Sequence, residues 1–298
     1  MNAITLDDVI RFRLKNFHQS PGDHLQTSDQ AVAFVNHLGF ILFWPDPKMD
    51  LPNLWQAVAG KRPVPDNHDD PGHITWNWKD SLLDKKVWYY ARTLRHRNTM
   101  ISLDLIPTFY ALSPNFGSPE DDIHDQYMQG EIPLEAKLIF DTLLDKGPLD
   151  TISLRKESHL SSASSTQPFT RALNILQRDL KVLPTGIAEA GAWRYAFRYD
   201  LTHRYFQYLI ESAHNISDSA ARTRLITTCL DSMGAASIRE VASVFSWPLE
   251  LTQKHISTHA GSTWQVGDLV TTKGAELAAI STKYHCFLHL ILALTAVF

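Results

Sequence analysis

The sequence predicts a mainly helical protein with small β wings, organised as tandem winged-helix (helix-turn-helix) domains. Apolar residues recur at helical spacing through three successive segments of residues 119–215, and two strand-like segments follow them. Three helices and then a hairpin is the order of a winged helix. The same order returns in residues 216–265, which indicates a second copy of this architecture. A hydrophobic content of 44% and a charged content of 20% are typical of a folded globular chain.

Charge and cysteine content narrow the function classes. The formal net charge is −4, although a local basic face on an acidic protein can still carry phosphate contacts. Only Cys229 and Cys286 occur, which predicts no disulfide framework and a reducing, cytoplasmic compartment. The N-terminal segment lacks a signal-peptide pattern, and no apolar stretch reaches the roughly 20 residues of a membrane helix. No phosphate-binding loop or nucleophile elbow occurs, so the sequence predicts no cofactor.

The first predicted domain, residues 1–118, is winged-helix-like and mixes α and β elements. Ser28 and Asp29 are expected to cap a helix that carries an apolar face. The run from Phe40 to Trp44 is short, apolar and followed by proline, which predicts a buried strand. A further helix is expected from about Lys79 to Leu94.

The second predicted domain, residues 119–215, has the clearest pattern. Its first helix is expected to start at Pro133 and to stop at Gly147, since these residues favour those positions. A short second helix is expected from about Asp150 to Leu160. The third helix is indicated by apolar residues on one face, namely Phe169, Leu173, Leu176 and Leu180. Two strands then surround a turn at Glu189–Gly191, which predicts a wing.

The third predicted domain, residues 216–265, restates that order, with a helix from Ala220 to Met233 and a cap at Ser237. Residues 266–298 form an apolar tail, for which two interpretations stay open: a buried helix, or a truncated or abnormal end. The tail contains His285, Cys286 and His289, but no third ligand type nearby supports a metal site.

These features resemble a known family, the crosslink-repair DNA glycosylases of the AlkZ/YcaQ type and their relatives. The resemblance covers about residues 5–265. It is carried by the stretches AVAFVNHLGFILFWP, LPNLWQAVAG and HDDPGHITWNWKDSLL, and by the module from EAKLIFDTLLDKGPLDTISLRKE to GAWRYAFRYDL. It implies winged-helix units around a concave DNA-binding face and, in the enzymes, hydrolysis of the bond between an alkylated base and its sugar.

The catalytic motif of that family departs from its pattern in this chain. The motif is glutamine, an apolar residue, then glutamine or aspartate, just after a helix that ends in Leu-Gly. Aligned on Leu38–Gly39, its polar positions fall on Leu42 and Trp44, which offer no acceptor to position a water. Asp46 is a candidate displaced catalytic residue, with the alternative that it caps the turn between two prolines. The resemblance therefore implies a divergent member without the catalytic motif.

Two basic patches are candidate DNA contacts. The first follows the third helix and wing of residues 119–215, where the predicted contacts are Arg171, Asn174, Gln177, Arg178, Lys181, Arg194 and Arg198, with Arg204 adding charge. The second lies in the first domain and comprises Lys79, Lys86, Arg92, Arg95 and Arg97. There, Trp88, Tyr89 and Tyr90 either stack on unpaired bases or belong to the core. For both patches a plain solvated surface is the alternative.

The acidic loop with Asp66, His68, Asp69, Asp70 and His73 matches no metal-site spacing, so no metal site is predicted there. It is expected to be a plain turn or to shape a nucleotide pocket.

The predicted function is DNA binding, with duplex DNA, damaged duplexes included, as the partner. If the chain is an enzyme, it is a monofunctional DNA glycosylase. The alternatives are a winged-helix transcription regulator and a protein–protein scaffold, because the fold alone does not assign a function. The sequence does not indicate an oligomeric state.

Overall fold

The computed structural model describes residues 4–67, 69–261, 264–271, 274–282 and 284. The chain divides into two compact units. Unit 1 combines Met1–Gly72 with Ser219–Phe298, and unit 2 is His73–Asp218. The sequence-based boundaries at residues 118, 215 and 265 stay predictions.

The described residues form mostly helices and short strands, which confirms the prediction of a mainly helical fold with small sheets. The helices are α1 (Leu6–Asn16), α2 (Ser28–Leu38), α3 (Leu54–Ala59), α4 (Ile74–Leu82), α5 (Ile106–Ala111), α6 (Pro119–Met128), α7 (Leu134–Lys146), α8 (Thr151–Glu157), α9 (Thr166–Arg178), α10 (Thr202–Tyr205), α11 (Leu209–His214), α12 (Asp218–Met233), α13 (Ile238–Phe245) and α14 (Leu249–Thr258). The strands are β1 (Ile4–Thr5), β2 (Phe40–Leu42), β3 (Tyr89–Ala91), β4 (Thr99–Ile101), β5 (Leu149–Asp150), β6 (Val182–Ala188), β7 (Ala196–Leu201), β8 (Ala235–Ser237), β9 (Trp264–Thr271) and β10 (Gly274–Ser281). Within the described ranges no helix is long and apolar enough to cross a membrane.

Unit 1 contains a sheet with the strand order β1–β9–β10–β8. Strands β9 and β10 form an antiparallel hairpin, and β1 pairs in parallel with β9. The cap of α2 is Thr27, one residue earlier than predicted, because the side chain of Thr27 accepts from the backbone of Gln30 and Gln30 reaches back to the backbone of Thr27. The predicted buried strand after α2 is present as β2, and it is fully buried.

Unit 2 contains a three-stranded antiparallel sheet with the order β5–β7–β6. Helices α7, α8 and α9 pack on it around one core that includes Phe140, Leu154, Phe169 and Leu176. The predicted turn at Glu189–Gly191 lies between β6 and β7, so the predicted hairpin is present.

The same succession of elements occurs twice along the chain. In unit 2 it is α7, β5, α8, α9, β6 and β7, and in unit 1 it is α12, β8, α13, α14, β9 and β10. In both sheets the last strand lies between the other two, giving β5–β7–β6 and β8–β10–β9. The second hairpin continues to Ser281, so the sequence-based boundary at residue 265 falls inside β9.

The predicted helix from Lys79 to Leu94 is wrong. Helix α4 ends at Leu82, and Lys86 has a left-handed φ of 53° after a single 3-10 turn. The following aromatic residues form β3, which pairs antiparallel with β4. Aromatic side chains favour strands, and here they fill a buried pleated surface. The mixed charges at residues 79–86 are compatible with the polar face of a longer helix, and this led to the wrong prediction.

Candidate nucleic-acid interface

Helix α9 divides its residues between the core and solvent. Phe169, Leu173 and Leu176 are buried, as the spacing predicts. Arg171 and Arg178 are exposed on the other side of the helix, and Asn174 between them is half-buried. These positions are three and four residues apart, so their side chains are neighbours on one helix face. The helix therefore offers two guanidinium groups and one amide to a ligand.

A groove of about 660 Å³ follows this face of α9. Its lining residues are His96, Thr166, Gln167, Thr170, Arg171, Asn174, Ile175 and Arg178. His96 comes from a turn at Leu94–His96, where Arg95 and His96 have left-handed φ values of 49° and 59°. Such backbone is uncommon for residues with a side chain and is often found at functional sites.

The turn at Leu94–His96 is stabilised by hydrogen bonds to the side chain of Thr99. The hydroxyl of Thr99 accepts from the backbone N–H of Leu94 at 3.2 Å and donates to the carbonyl of Arg97 at 2.9 Å. Burial, and then the nearby guanidinium of Arg178, lower the pKa of His96. His96 is therefore neutral at pH 7 and adds no charge to the groove at that pH.

The hairpin adds a second group of basic residues. Arg194 lies in the turn and pairs with Glu189, and both side chains are highly exposed. Arg198 points to solvent from β7. Trp193, at the same turn, is 91% exposed, which is unusual for a residue of this size.

The charges of this surface are partly neutralised. Arg178 forms a salt bridge with Asp179 at 2.6 Å, and Arg194 forms one with Glu189. Arg171 and Arg198 form no salt bridge with any residue that the structure describes. These two residues are therefore the strongest phosphate-binding candidates, because no carboxylate competes for them.

Two residues expected at the surface of the first basic patch are instead buried. Lys181 is 3% exposed, and its ammonium donates to the carbonyl of Pro114 at 3.0 Å and to Oδ1 of Asn115 at 2.7 Å. Burial lowers the pKa of Lys181 to about 8. Gln177 accepts from the backbone N–H of Arg92 at 3.2 Å and donates to the carbonyl of Leu173. Gln177 lies in the last turn of α9 and Lys181 follows the helix, and both side chains are buried against neighbouring backbone groups.

Arg204 is also committed to the fold. Its guanidinium donates to the carbonyl of Leu143 at 2.7 Å and pairs with Asp200. Arg204 therefore satisfies the C-terminal end of α7, where carbonyls have no helical partner. The sequence analysis counted Arg204 toward the positive charge of this patch, but its guanidinium is half-buried and bonded to the end of α7.

The second basic patch also contains both buried and exposed basic residues. Lys79 is 3% exposed and lies among aromatic rings, with its ammonium 4.6 Å from the centroid of Phe197 and a salt bridge to Asp80 at 2.5 Å. Burial lowers the pKa of Lys79. Lys86 is exposed but donates to the carbonyl of Tyr205 at 2.8 Å. Arg92 and Arg97 have exposed side chains, and that of Arg95 is half-buried.

The aromatic residues near this patch belong to the core. Trp88, Tyr89 and Tyr90 are all buried, so the core interpretation holds for these three side chains.

The sequence analysis did not identify a row of aromatic residues beside the hairpin, here called the aromatic wall. Tyr195, Phe197 and Tyr199 alternate along the chain, so they share one face as β7 begins, and Trp193 in the preceding turn lines the same concavity. Neighbouring rings are in contact, with centroids of Tyr195 and Phe197 5.8 Å apart and those of Phe197 and Tyr199 6.1 Å apart. This period of two was the signal that could have found the wall.

The positions that align with the glycosylase motif lie in unit 1 and carry no acid or amide. Leu42 is fully buried in β2, and the ring of Trp44 packs 5.3 Å from that of Trp55. Asp46 is 7% exposed, and its Oδ1 accepts from the backbone N–H of Lys48 at 2.9 Å. This is the turn-capping geometry of an aspartate, and it supports the structural alternative for Asp46.

The acidic loop before unit 2 packs as a turn. Asp70 accepts from Arg62 at 2.6 Å and from the backbone N–H of Gly72 at 2.8 Å. A Cβ at Gly72 would lie 2.7 Å from the ring of Trp55, so this close approach requires glycine.

Metal ligands are not gathered in this part of the chain. Among the residues that the structure describes, no group of three His, Cys, Asp or Glu side chains could hold a metal ion. His68, His285, Cys286 and His289 lie outside the described residues.

The fold thus defines a class: mainly helical proteins with small antiparallel sheets and a repeated helix–strand–helix–helix–hairpin succession, of which one copy carries a basic face. Comparison with protein families gives the particular assignment. The AlkZ-related family matches residues 25–246, and the chain belongs to this family.

Comparison with solved structures finds the DNA glycosylase AlkZ of Streptomyces sahachiroi. The match has a TM-score of 0.56 at 12% sequence identity and covers 96% of this chain and 72% of the glycosylase. It establishes an AlkZ-like fold. A comparison with curated protein sequences finds no match.

Proposed function

We propose that this chain is a DNA-binding protein of tandem winged helices that lacks the hydrolytic activity of the related glycosylases. In this proposal α9 is the recognition helix and the β6–β7 hairpin is its wing. The observation that carries it is the exposure of Arg171 and Arg198 on these two elements, without a salt bridge among the described residues.

The strand order supports the winged-helix assignment. β5 follows α7 and pairs with β7, and β7 pairs with β6 across the turn. Along the chain, this hairpin of β6 and β7 directly follows α9. In helix-turn-helix proteins the last helix enters the major groove while flanking segments contact the backbone. Arginine at such positions contacts phosphates and guanine edges, and the amide of Asn174 is suited to adenine.

The absence of hydrolysis is proposed from the side chains in unit 1. A glycosylase needs an acceptor that orients a water toward the sugar carbon. Leu42 has no polar atom, and Asp46 is buried and holds its own turn. A cytoplasmic location and duplex DNA as the partner belong to the same proposal.

The test is fluorescence anisotropy with a labelled duplex of arbitrary sequence, titrated over a salt series. Each phosphate contact contributes about 0.9 to the slope of log K against log salt. We expect the Arg171→Ala, Arg198→Ala double variant to bind more weakly and to reduce the slope by about 1.8. Lys146→Ala is the matched control, because its ammonium is already paired with Glu157 at 2.7 Å. Its slope should equal that of the wild type.

No binding at low salt by the folded protein would overturn the proposal and leave the protein–protein scaffold. A strong preference for one duplex sequence would instead favour a transcription regulator. The second arm uses the same duplex with an alkylated purine, from which we expect no base release. Release above the uncatalysed rate that is lost in Asp46→Asn would overturn the non-hydrolytic assignment and make Asp46 the catalytic group.

A further inference from the structure

Unit 2 contains a pocket of about 470 Å³ beside the groove of α9. This volume lies in the range of small-molecule sites, about 300–1,000 Å³. Its aromatic walls are Tyr90, Trp193, Tyr195, Phe197 and Tyr199. Thr170 and Asn174 line both the pocket and the groove, so the two concavities adjoin along α9.

Three of these walls, Tyr90, Tyr195 and Phe197, are held in place from behind. The hydroxyl of Tyr195 donates to Asp80 and accepts from the ammonium of Lys79, each at 3.1 Å. That ammonium lies 5.6 Å from the ring centroid of Tyr90 and 4.6 Å from that of Phe197. Cation–π contacts are strongest for a desolvated cation, so the buried Lys79 fixes the orientation of several rings together. The pocket is therefore preformed, which limits the entropy lost on binding.

The polar groups of the pocket are suited to the edge and the phosphate of a nucleotide. The amides of Asn98 and Asn174 form no hydrogen bond with the part of the protein that the structure describes, and each can both donate and accept. Arg92 supplies an exposed guanidinium to the lining, and Arg171 lies in the adjoining groove. Flat apolar walls, amides and a cationic rim match a purine or pyrimidine ring joined to a phosphate.

We propose that this pocket receives a single unpaired base of DNA held on the basic face, with the ring against the aromatic wall. This inference rests on the proposed DNA binding. The base stacks on an aromatic side chain, its edge bonds to the Asn174 amide, and the flanking phosphate pairs with Arg92 or Arg171. Base–aromatic stacking contributes about 1–3 kcal/mol per base, enough for a clear preference for DNA with an unpaired position.

The experiment compares four ligands by anisotropy and competition: a paired duplex, the same duplex with a one-base bulge, a single strand, and deoxyadenosine monophosphate. The wild type is expected to prefer the bulged duplex to the paired duplex by about 5–160-fold. Trp193→Ala should remove most of that preference and leave paired-duplex affinity within about twofold, since stacking loses a ring but no charge. Asn174→Ala should reduce the preference by a smaller factor, through the lost bond to the base edge.

Trp193 is 91% exposed, so its replacement leaves the core intact, and circular dichroism checks this. Arg198→Ala is the contrast, because Arg198 lines neither the pocket nor the adjoining groove and its loss should weaken both duplexes equally. Equal affinity for the bulged and paired duplexes would overturn the inference while leaving DNA binding in place. Binding of the mononucleotide without a preference for the bulge would also overturn it, and would assign the pocket to a free nucleotide. Absence of all DNA binding would instead refute the proposed function itself.

Discussion

The buried ammonium of Lys181 makes the stability of the protein depend on pH in a way that can be calculated. Its pKa falls from an ordinary 10.5 to about 8, because burial disfavours the charged form. This difference corresponds to about 3 kcal/mol between the two protonation states. Between these two pKa values the unfolded chain binds more protons than the folded one, so the contribution of Lys181 to the free energy of unfolding rises with pH.

Replacing Lys181 with methionine isolates this contribution, because it removes the titrating group and keeps the shape of the side chain. From pH 7 to pH 9 the wild type should gain about 1 kcal/mol in free energy of unfolding relative to Lys181→Met. The assay is urea unfolding followed by circular dichroism at both pH values. The free energy of unfolding is taken from the transition that the substitution shifts. Other groups titrate alike in both proteins and cancel.

Lys146→Met is the control for a solvated lysine. The carboxylate of Glu157 raises the pKa of Lys146, so it keeps its proton throughout this window. Its difference from the wild type should be the same at both pH values. If the difference for Lys181→Met is also unchanged between pH 7 and 9, the amine titrates like a solvated lysine and the reasoning from burial is refuted.

Three further outcomes follow from the packing and the groove. Gly72→Ala should lower the free energy of unfolding by about 1–3 kcal/mol in a denaturant titration, since the new methyl group meets the ring of Trp55, and an unchanged midpoint would contradict that contact. Arg204→Met should destabilise the protein by about 1.5–3 kcal/mol in the same assay, because a charge-assisted bond to the end of α7 is lost, and a loss seen only at low salt would point to a surface charge instead. The lowered pKa of His96 predicts that DNA affinity rises as pH falls below 6.5 and the ring gains a proton, with a smaller rise in His96→Gln by anisotropy, whereas equal pH profiles would exclude His96 from the groove.

The sequence was informative wherever a local period determined the structure. The apolar spacing through Phe169, Leu173 and Leu176 placed α9 and its exposed face, and the turn at Glu189–Gly191 placed the hairpin. It failed at residues 79–94, where charges spaced as on a helix concealed an aromatic strand.

The candidate site was harder to predict than the fold, because burial of a charged residue depends on distant partners. Lys181 and Lys79 have the same chemistry as any exposed lysine, and only the contacts to Pro114 and to the Phe197 ring place them inside. Asp179 is adjacent to Arg178 in sequence, but adjacency alone does not show that the two side chains form a salt bridge. A count of basic residues therefore overestimates the positive charge that is accessible to DNA.

The parallel pairing of β1 with β9 joins Ile4 to Leu269 and Thr5 to Val270, so the sheet of unit 1 needs segments from widely separated parts of the chain. Unit 2 is continuous, His73–Asp218, and all three strands of its β5–β7–β6 sheet come from this one segment. During synthesis from the N-terminus, unit 2 can therefore acquire its structure while the ribosome is still translating unit 1's second segment. The N-terminal segment must wait for β9 to emerge before β1 can pair, and contacts of such sequence separation form slowly. Chains interrupted between Asp218 and Trp264 would carry a structured unit 2 with an incomplete first sheet, a state that exposes apolar surface to chaperones and proteases.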